Sequence, residues 1–218
     1  MVANPERRTA LVDAGIEVLA LQGARGLTFR AVDGQAGVPV GTASNYFAGR
    51  DDLLRQMDAR LHVRLAPDPA VVAGLLERPR DRDLVTAFMH DLIRRATGDR
   101  TGWLAMLEMR LEATRRPELR ASFTRSVRAD LVEGMEFQRT AGLPGGDETV
   151  AVLYLAMLGL IVEHLTLPGV LDGVLPGVSV PDGLVDRIVA AIVPDGPDGP
   201  DVPDGPGSPN GTGGPDGR

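Results

Sequence analysis

The side chains with the clearest chemical use lie in the stretch VGTASNYFAGRDDLL, from Val40 to Leu54. Gly41 lets a backbone approach a surface closely. Thr42 and Ser44 carry hydroxyls, Asn45 an amide, Tyr46 a phenol and Arg50 a guanidinium. None of these is a usual catalyst, yet all bond well to a surface dense in donors, acceptors and anionic oxygens. An amide matches the edge of adenine, whereas tyrosine and arginine match phosphate oxygens. Double-stranded DNA presents both. Other chemistries are excluded by composition and spacing. The chain has no cysteine and no lysine, so it has no disulfide, thiolate, P-loop lysine or Schiff base. His62, His90 and His164 are scattered, and no His-Glu-x-x-His, Gly-x-Ser-x-Gly or dinucleotide fingerprint occurs. No cofactor, metal or catalytic residue is expected, and the chain is not read as an enzyme.

A groove-reading segment needs short helices held at a steep angle, and the flanking sequence supplies them. RRTALVDAGIEVLALQG has apolar residues at mostly helical spacing, with Gly23 as a stop. Thr28 can cap a second helix, FRAVDGQAG, that buries Phe29 and Val32 and ends at Gly37. Pro39 suits the first turn of a third helix reaching about Phe47, with Ala43 and Phe47 facing inward. Asp51 or Asp52 starts a fourth. Two short helices joined by AGVPVG have the dimensions of a helix-turn-helix, whose second member enters the major groove. The expected DNA-binding set is Thr28, Arg30, Val40, Gly41, Thr42, Ser44, Asn45, Tyr46 and Arg50.

Residues 7–54 resemble the DNA-binding domain of the TetR (tetracycline-repressor) family of transcriptional regulators. The resemblance rests on Thr28, Val32, Ala36-Gly37-Val38, Gly41-Thr42, Tyr46-Phe47, Arg50 and Leu53-Leu54 at matching offsets. Three positions depart from the family pattern. Pro39 replaces a capping Ser, Asp33-Gly34 is expected to weaken the second helix, and Ser44-Asn45 replaces an aromatic-His pair. The resemblance implies a DNA-binding regulator, acting as a repressor on a near-palindromic operator. It also implies a body that binds a small effector and pairs with a second copy through its last two helices.

The remaining pattern is helical, near 70–77, 83–97, 101–115, 117–141, 147–167 and 182–193, so the expected fold class is all-α. An N-terminal three-helix helix-turn-helix domain, 1–50, precedes a larger helical ligand-binding and dimerisation domain, 51–193. The helix over 147–167 is apolar almost all round and must be covered on more than one side. The expected homodimer interface is Tyr154, Met157, Leu158, Ile161, Leu165, Leu184, Ile188 and Ile192. TGWLAMLEMRLEATRRPELR also resembles family members, and it puts Trp103, Met106 and Arg110 on one side of a helix, with Met109 bordering it. Phe88, His90, Phe123, Tyr154 and His164 could complete an apolar cavity, although a Trp/Met stripe is more often simply core.

From Pro194 the chain turns to Pro, Gly and Asp, a composition expected to stay disordered. Residues 194–218 hold five Asp and one Arg, −4 of the net −7. The first fifty residues are slightly basic, with five Arg against four acids, enough to engage phosphates locally. No signal peptide is visible, and the apolar run Val150–Val162 falls short of the roughly 20 residues of a membrane span. A cytoplasmic protein is expected. The alternatives are a helical protein-interaction adaptor and, less favoured, a small helical enzyme.

Overall fold

The computed structural model describes residues 4–195. The expected tail therefore lies, beyond Asp195, outside the described residues. The order is α1 (Pro5–Gly26), α2 (Phe29–Gln35), α3 (Thr42–Tyr46), α4 (Arg50–Leu65), α5 (Pro69–Leu75), α6 (Arg82–Gly98), α7 (Arg100–Ala113), α8 (Pro117–Thr140), α9 (Asp147–Thr166) and α10 (Asp182–Ile192). Among the described residues no strand occurs.

Short-range chemistry sets most helix starts. Asn4, Thr28, Asp68, Asp81 and Asp99 each accept a backbone N–H within the first turn that follows. Pro5, Pro69 and Pro117 occupy first turns, where no N–H partner is needed. Gly23, at φ 66°, breaks the regular path of α1 where the sequence pattern stops it. Pro39 behaves differently from expectation. It lies in the turn, its carbonyl accepting the Thr42 N–H at 3.1 Å, and α3 begins only after Gly41. Gly41 adopts φ 94°, a conformation costly for other residues, so the third helix is shorter than its sequence pattern suggests.

Two apolar cores follow. The first joins Leu11, Ile16 and Leu19 of α1, Val32 of α2, Ala43 and Phe47 around α3, and Leu54 and Met57 of α4. It continues into Met109 of α7 and Phe123 of α8, so the head is not walled off from the body. The second gathers Leu84 and Ile93 of α6, Trp103 of α7, Met157 and Ile161 of α9, and Val185 and Val189 of α10. As folded, α9 is long and apolar enough by composition to cross a bilayer, with mean hydropathy 1.8, contrary to the shorter run read from sequence. Its inner face packs on α6, α8 and α10, and its outer face, with Val152 and Leu155, is exposed.

Ion pairs pin α4 between head and body. Arg60 grips Asp13 of α1 at 2.8 and 3.0 Å, and Arg64 grips Asp99, before α7, at 2.7 and 3.0 Å. Toward α8, His62 faces two acids. Its Nδ1 lies 2.9 Å from the Asp58 carbonyl, which can only accept, and its Nε2 lies 3.0 Å from the Asp130 carboxylate. Ser126 of α8 donates to Asp58 at 3.2 Å. Burial opposes charge on the ring, but the Asp58 carbonyl and the Asp130 and Asp58 carboxylates outweigh it and hold the imidazole above its ordinary value. Burial pushes both Asp58 and Asp130 up. Asp130 is 58% exposed, so solvent screens part of its pull.

With the folded value raised, the His62 contribution is complete below about pH 6.5 and is lost as pH rises through the folded value. Unfolding midpoints measured between about pH 5.5 and 9 should therefore fall with rising pH more for the native chain than for His62→Gln. Parallel curves for the two proteins would remove His62 from the coupling of α4 to α8.

Candidate nucleic-acid interface

Asp33 organises the turn between α2 and α3. It is fully buried. Its Oδ2 accepts the Gly41 N–H at 2.7 Å and its Oδ1 accepts the Ala43 N–H at 2.7 Å. These are short, charge-assisted bonds to the N-terminus of α3. Neither Pro39 nor Gly41 offers a side chain for that task, so the cap comes from the neighbouring helix. Asp33, read from sequence only as a burden on the second helix, also joins α2 to α3. The signal was in the sequence: a missing cap at position 39 and an unexplained acid at position 33 are complementary.

The two faces of α3 divide as expected. Ala43 and Phe47 are buried. Val40, Ser44 and Asn45 are exposed, while Gly41, Thr42 and Tyr46 are half-buried. Nothing lies within 4 Å of where a Gly41 Cβ would sit, so the outer side of the turn is open. The polar groups bond locally. Thr42 donates to the Pro39 carbonyl at 2.5 Å, and Ser44 and Asn45 both donate to the Gly41 carbonyl, at 2.7 and 3.0 Å. Such surface bonds exchange for a ligand's at small net cost. At the start of α2, Thr28 and Arg30 are exposed. Thr28 uses an oxygen lone pair on the Ala31 N–H, leaving its own O–H free to donate.

Two arginines differ from the sequence reading. Arg8 places its guanidinium 5.6 Å from the Tyr46 ring centroid and 5.7 Å from that of Phe47, and donates to Gln56 at 3.0 Å. It thus fixes the phenol that was read as a phosphate contact, a role sequence spacing did not reveal. Arg50, expected on phosphate, instead donates to the Ala24 carbonyl and lies 3.8 Å from Glu112. Its guanidinium belongs to the seam between head and body. Three acids of α1 and α2 are occupied. Asp13 serves Arg60 and Arg64, Glu17 accepts from Thr101 at 3.0 Å, and Asp33 is spent on backbone N–H groups. Arg7, Arg25 and Arg30 remain exposed without a carboxylate partner among the described residues.

The residues expected around an effector are dispersed. His90 pairs with Asp186 at 2.8 Å and Asp182 at 3.5 Å, joining α6 to α10. Met109 is fully buried in the first core, whereas Trp103 and the partly buried Phe88 lie in the second. Met106 touches both cores. His164 is half-buried near the end of α9. Only Arg110 and Phe123 line one cavity, and Tyr154 accepts from Arg110 at 3.1 Å. Trp103 Nε1 is buried without a partner among the described residues. The expected dimer set also divides. Met157, Ile161 and Leu165 are buried within the chain, so they cannot meet a partner. Tyr154, Leu158, Leu184, Ile188 and Ile192 are half-buried. The outward apolar residues of α9 are Val152 and Leu155, 43% and 64% exposed. A helix apolar all round does not declare which side its own chain covers.

A short helix pair with a buried cap, an open polar face and a helical body defines a helix-turn-helix protein with an attached all-α domain. The chain belongs to the tetR family of bacterial regulatory proteins: that family's N-terminal region matches residues 11–57, and the family "Tetracyclin repressor-like, C-terminal domain" matches residues 80–195. It is 31% identical over 138 residues to the HTH-type transcriptional regulator BetI of Rhizobium meliloti, covering 61% of this chain and 66% of that protein. It is 33% identical over 79 residues to BetI of Brucella anthropi, covering 36% of this chain and 41% of the relative. The matched segments thus span from under half to about two thirds of these relatives. Among solved structures, the multidrug binding protein EbrR complexed with ethidium superposes with TM-score 0.61 at 26% identity, covering 88% of this chain and 100% of that one.

Replacing Asp33 by Ala should strip α3 of both side-chain acceptors and cost about 1.5–3 kcal/mol in urea unfolding, with Asp33→Asn in between. An Asp33→Ala protein as stable as the native chain would show that the turn holds α3 unaided.

Proposed function

We propose that the chain is a transcriptional repressor that binds a near-palindromic operator as a homodimer and releases it when a small effector binds the body. The carrying observation is the outward group Val40, Gly41, Thr42, Ser44, Asn45 and Tyr46, held on a short helix by Asp33 where local acids are otherwise engaged. Asn45 reads a base edge, and Tyr46, Thr28 and Arg30 contact phosphates. Arg50 is a positioning residue rather than a contact.

Pairing of two chains rests on α9. Val152 and Leu155 are exposed apolar side chains, and the exposed Gly159 lets a second helix approach. With the half-buried margin of α10, two chains form a four-helix interface. Two α3 helices then reach major grooves about 34 Å apart, one duplex turn. The ethidium complex of EbrR supports an effector role for the body. The unpaired Trp103 N–H is a donor that an entering acceptor would satisfy. A coupling of about 1.4–2.8 kcal/mol suffices for a tenfold to hundredfold loss of operator affinity. The protein works in the cytoplasm, where the duplex is.

Gel shifts on the DNA flanking its own gene test the reading. A near-palindromic fragment should shift, and Tyr46→Ala or Arg30→Ala should weaken binding to every sequence. Asn45→Ala should relax preference at one base position; an unchanged preferred sequence would misplace α3. Leu155→Arg should sediment as a monomer and lose the paired-site complex, and a dimer that survives would move the interface away from α9.

A further inference from the structure

We infer that the open groove between α7 and α8 is a binding site for an organic anion with an apolar body, such as an aryl carboxylate or sulfonate. The groove encloses about 410 Å³. Phe123, Val127 and Leu131 of α8 form its apolar wall, while Arg110 of α7 and Arg120 and Arg128 of α8 supply the cationic groups. No acidic side chain lines it among the described residues. Arg120, Phe123, Val127, Arg128 and Leu131 recur at three- and four-residue spacings, so helix geometry alone brings charge and apolar surface to one side of α8.

The groove arginines differ from the pair that follows α7. Arg115 and Arg116 share Glu112, at 3.7 and 2.6 Å. Arg110, Arg120 and Arg128 meet no carboxylate among the described residues. Arg110 is nevertheless fixed in place. It donates to the Tyr154 hydroxyl at 3.1 Å, and its guanidinium lies 5.8 Å from the Phe123 ring centroid. Neither partner neutralises it. A positioned, uncompensated guanidinium beside an aromatic wall suits a carboxylate or sulfonate whose rings or chain cover that wall. The same three charges repel a cation such as ethidium.

The site also has a route to the head. Its α7 wall carries Met109 and Ala113 into the core shared with α1 and α4. The consequence for DNA rests on the repressor reading above, whereas the binding itself does not.

The full chain should be titrated with anilinonaphthalene sulfonate, an anionic fluorescent probe. Saturable binding of one probe per chain is expected, displaced by naphthoate but not by naphthalene methanol or ethidium. The double variant Arg120→Gln/Arg128→Gln alters only exposed side chains and should keep native helicity and native gel shifts. It should bind the probe about tenfold more weakly, with the Arg→Lys pair restoring much of the loss. Unchanged affinity in the Gln variant, or displacement by ethidium, would overturn the inference. So would absence of saturable probe binding by the native chain. Probe binding as expected without any DNA shift would leave the groove in place and remove the repressor reading.

Discussion

Leu11, Ile16 and Leu19 of α1 share one apolar core with Ala105 and Met109 of α7, and this sharing fixes where α3 points. A head joined only through α4 could swing, and its reading face would have no set direction. Here α1 lies along α7 over much of its length, and polar bonds seal the same seam. Thr101 of α7 donates to Glu17 of α1, and Arg64 of α4 holds Asp99 at the start of α7. A displacement of α7 must therefore move α1 or break apolar contacts, because close-packed interiors transmit strain rather than absorb it. Arg50, bonded to Ala24 and facing Glu112, belongs to this seam.

Within the head, orientation depends on a smaller device. A five-residue helix cannot hold its own shape, since forming a first turn is unfavourable in isolation. Asp33 resolves this by satisfying two N–H groups of α3 from the helix before it. The phenol of Tyr46 is steadied separately, beneath the Arg8 guanidinium. The outward hydroxyls and amide are left to bond weakly to their own turn. The rigid groups are thus the inner ones, and the groups free to rearrange face outward.

Most of the fold was legible because helix periodicity, caps and glycine stops are local. Thr28 acts as the cap its type predicts. The inward positions of Ala43 and Phe47 follow from spacing in the same way. What escaped depends on partners distant in sequence. Arg50 and Tyr46 sit four residues apart, yet one is drawn into a seam by Ala24 and Glu112 while the other stays at the surface. No pattern within 40–54 encodes that choice. On α9, Met157 and Leu155 are equally apolar, and only the placement of α6 and α10 decides which is covered. The residues read as an effector set are dispersed for the same reason. His90 is a half-buried ring ion-paired to α10 and Trp103 is a core indole, and proximity in sequence could not separate them.

The arginines carry the remaining logic. All 23 cations of the chain are arginine, in a sequence with net charge −7. Several that meet carboxylates join helices: Arg60 and Arg64 tie α4 down, and Arg116 connects Glu112 of α7 to Asp51 of α4. Others meet none among the described residues, including Arg7, Arg25 and Arg30 on the head and Arg110, Arg120 and Arg128 along the α7–α8 groove. Acids outnumber bases in this chain, so partners were not scarce. A group of N–H forks beside like charges favours an incoming anion over a cation. By that argument the two clusters are of one kind: one fits the extended charge of a duplex backbone, and the other, walled by Phe123 and Val127, fits a compact anion with apolar surface to bury.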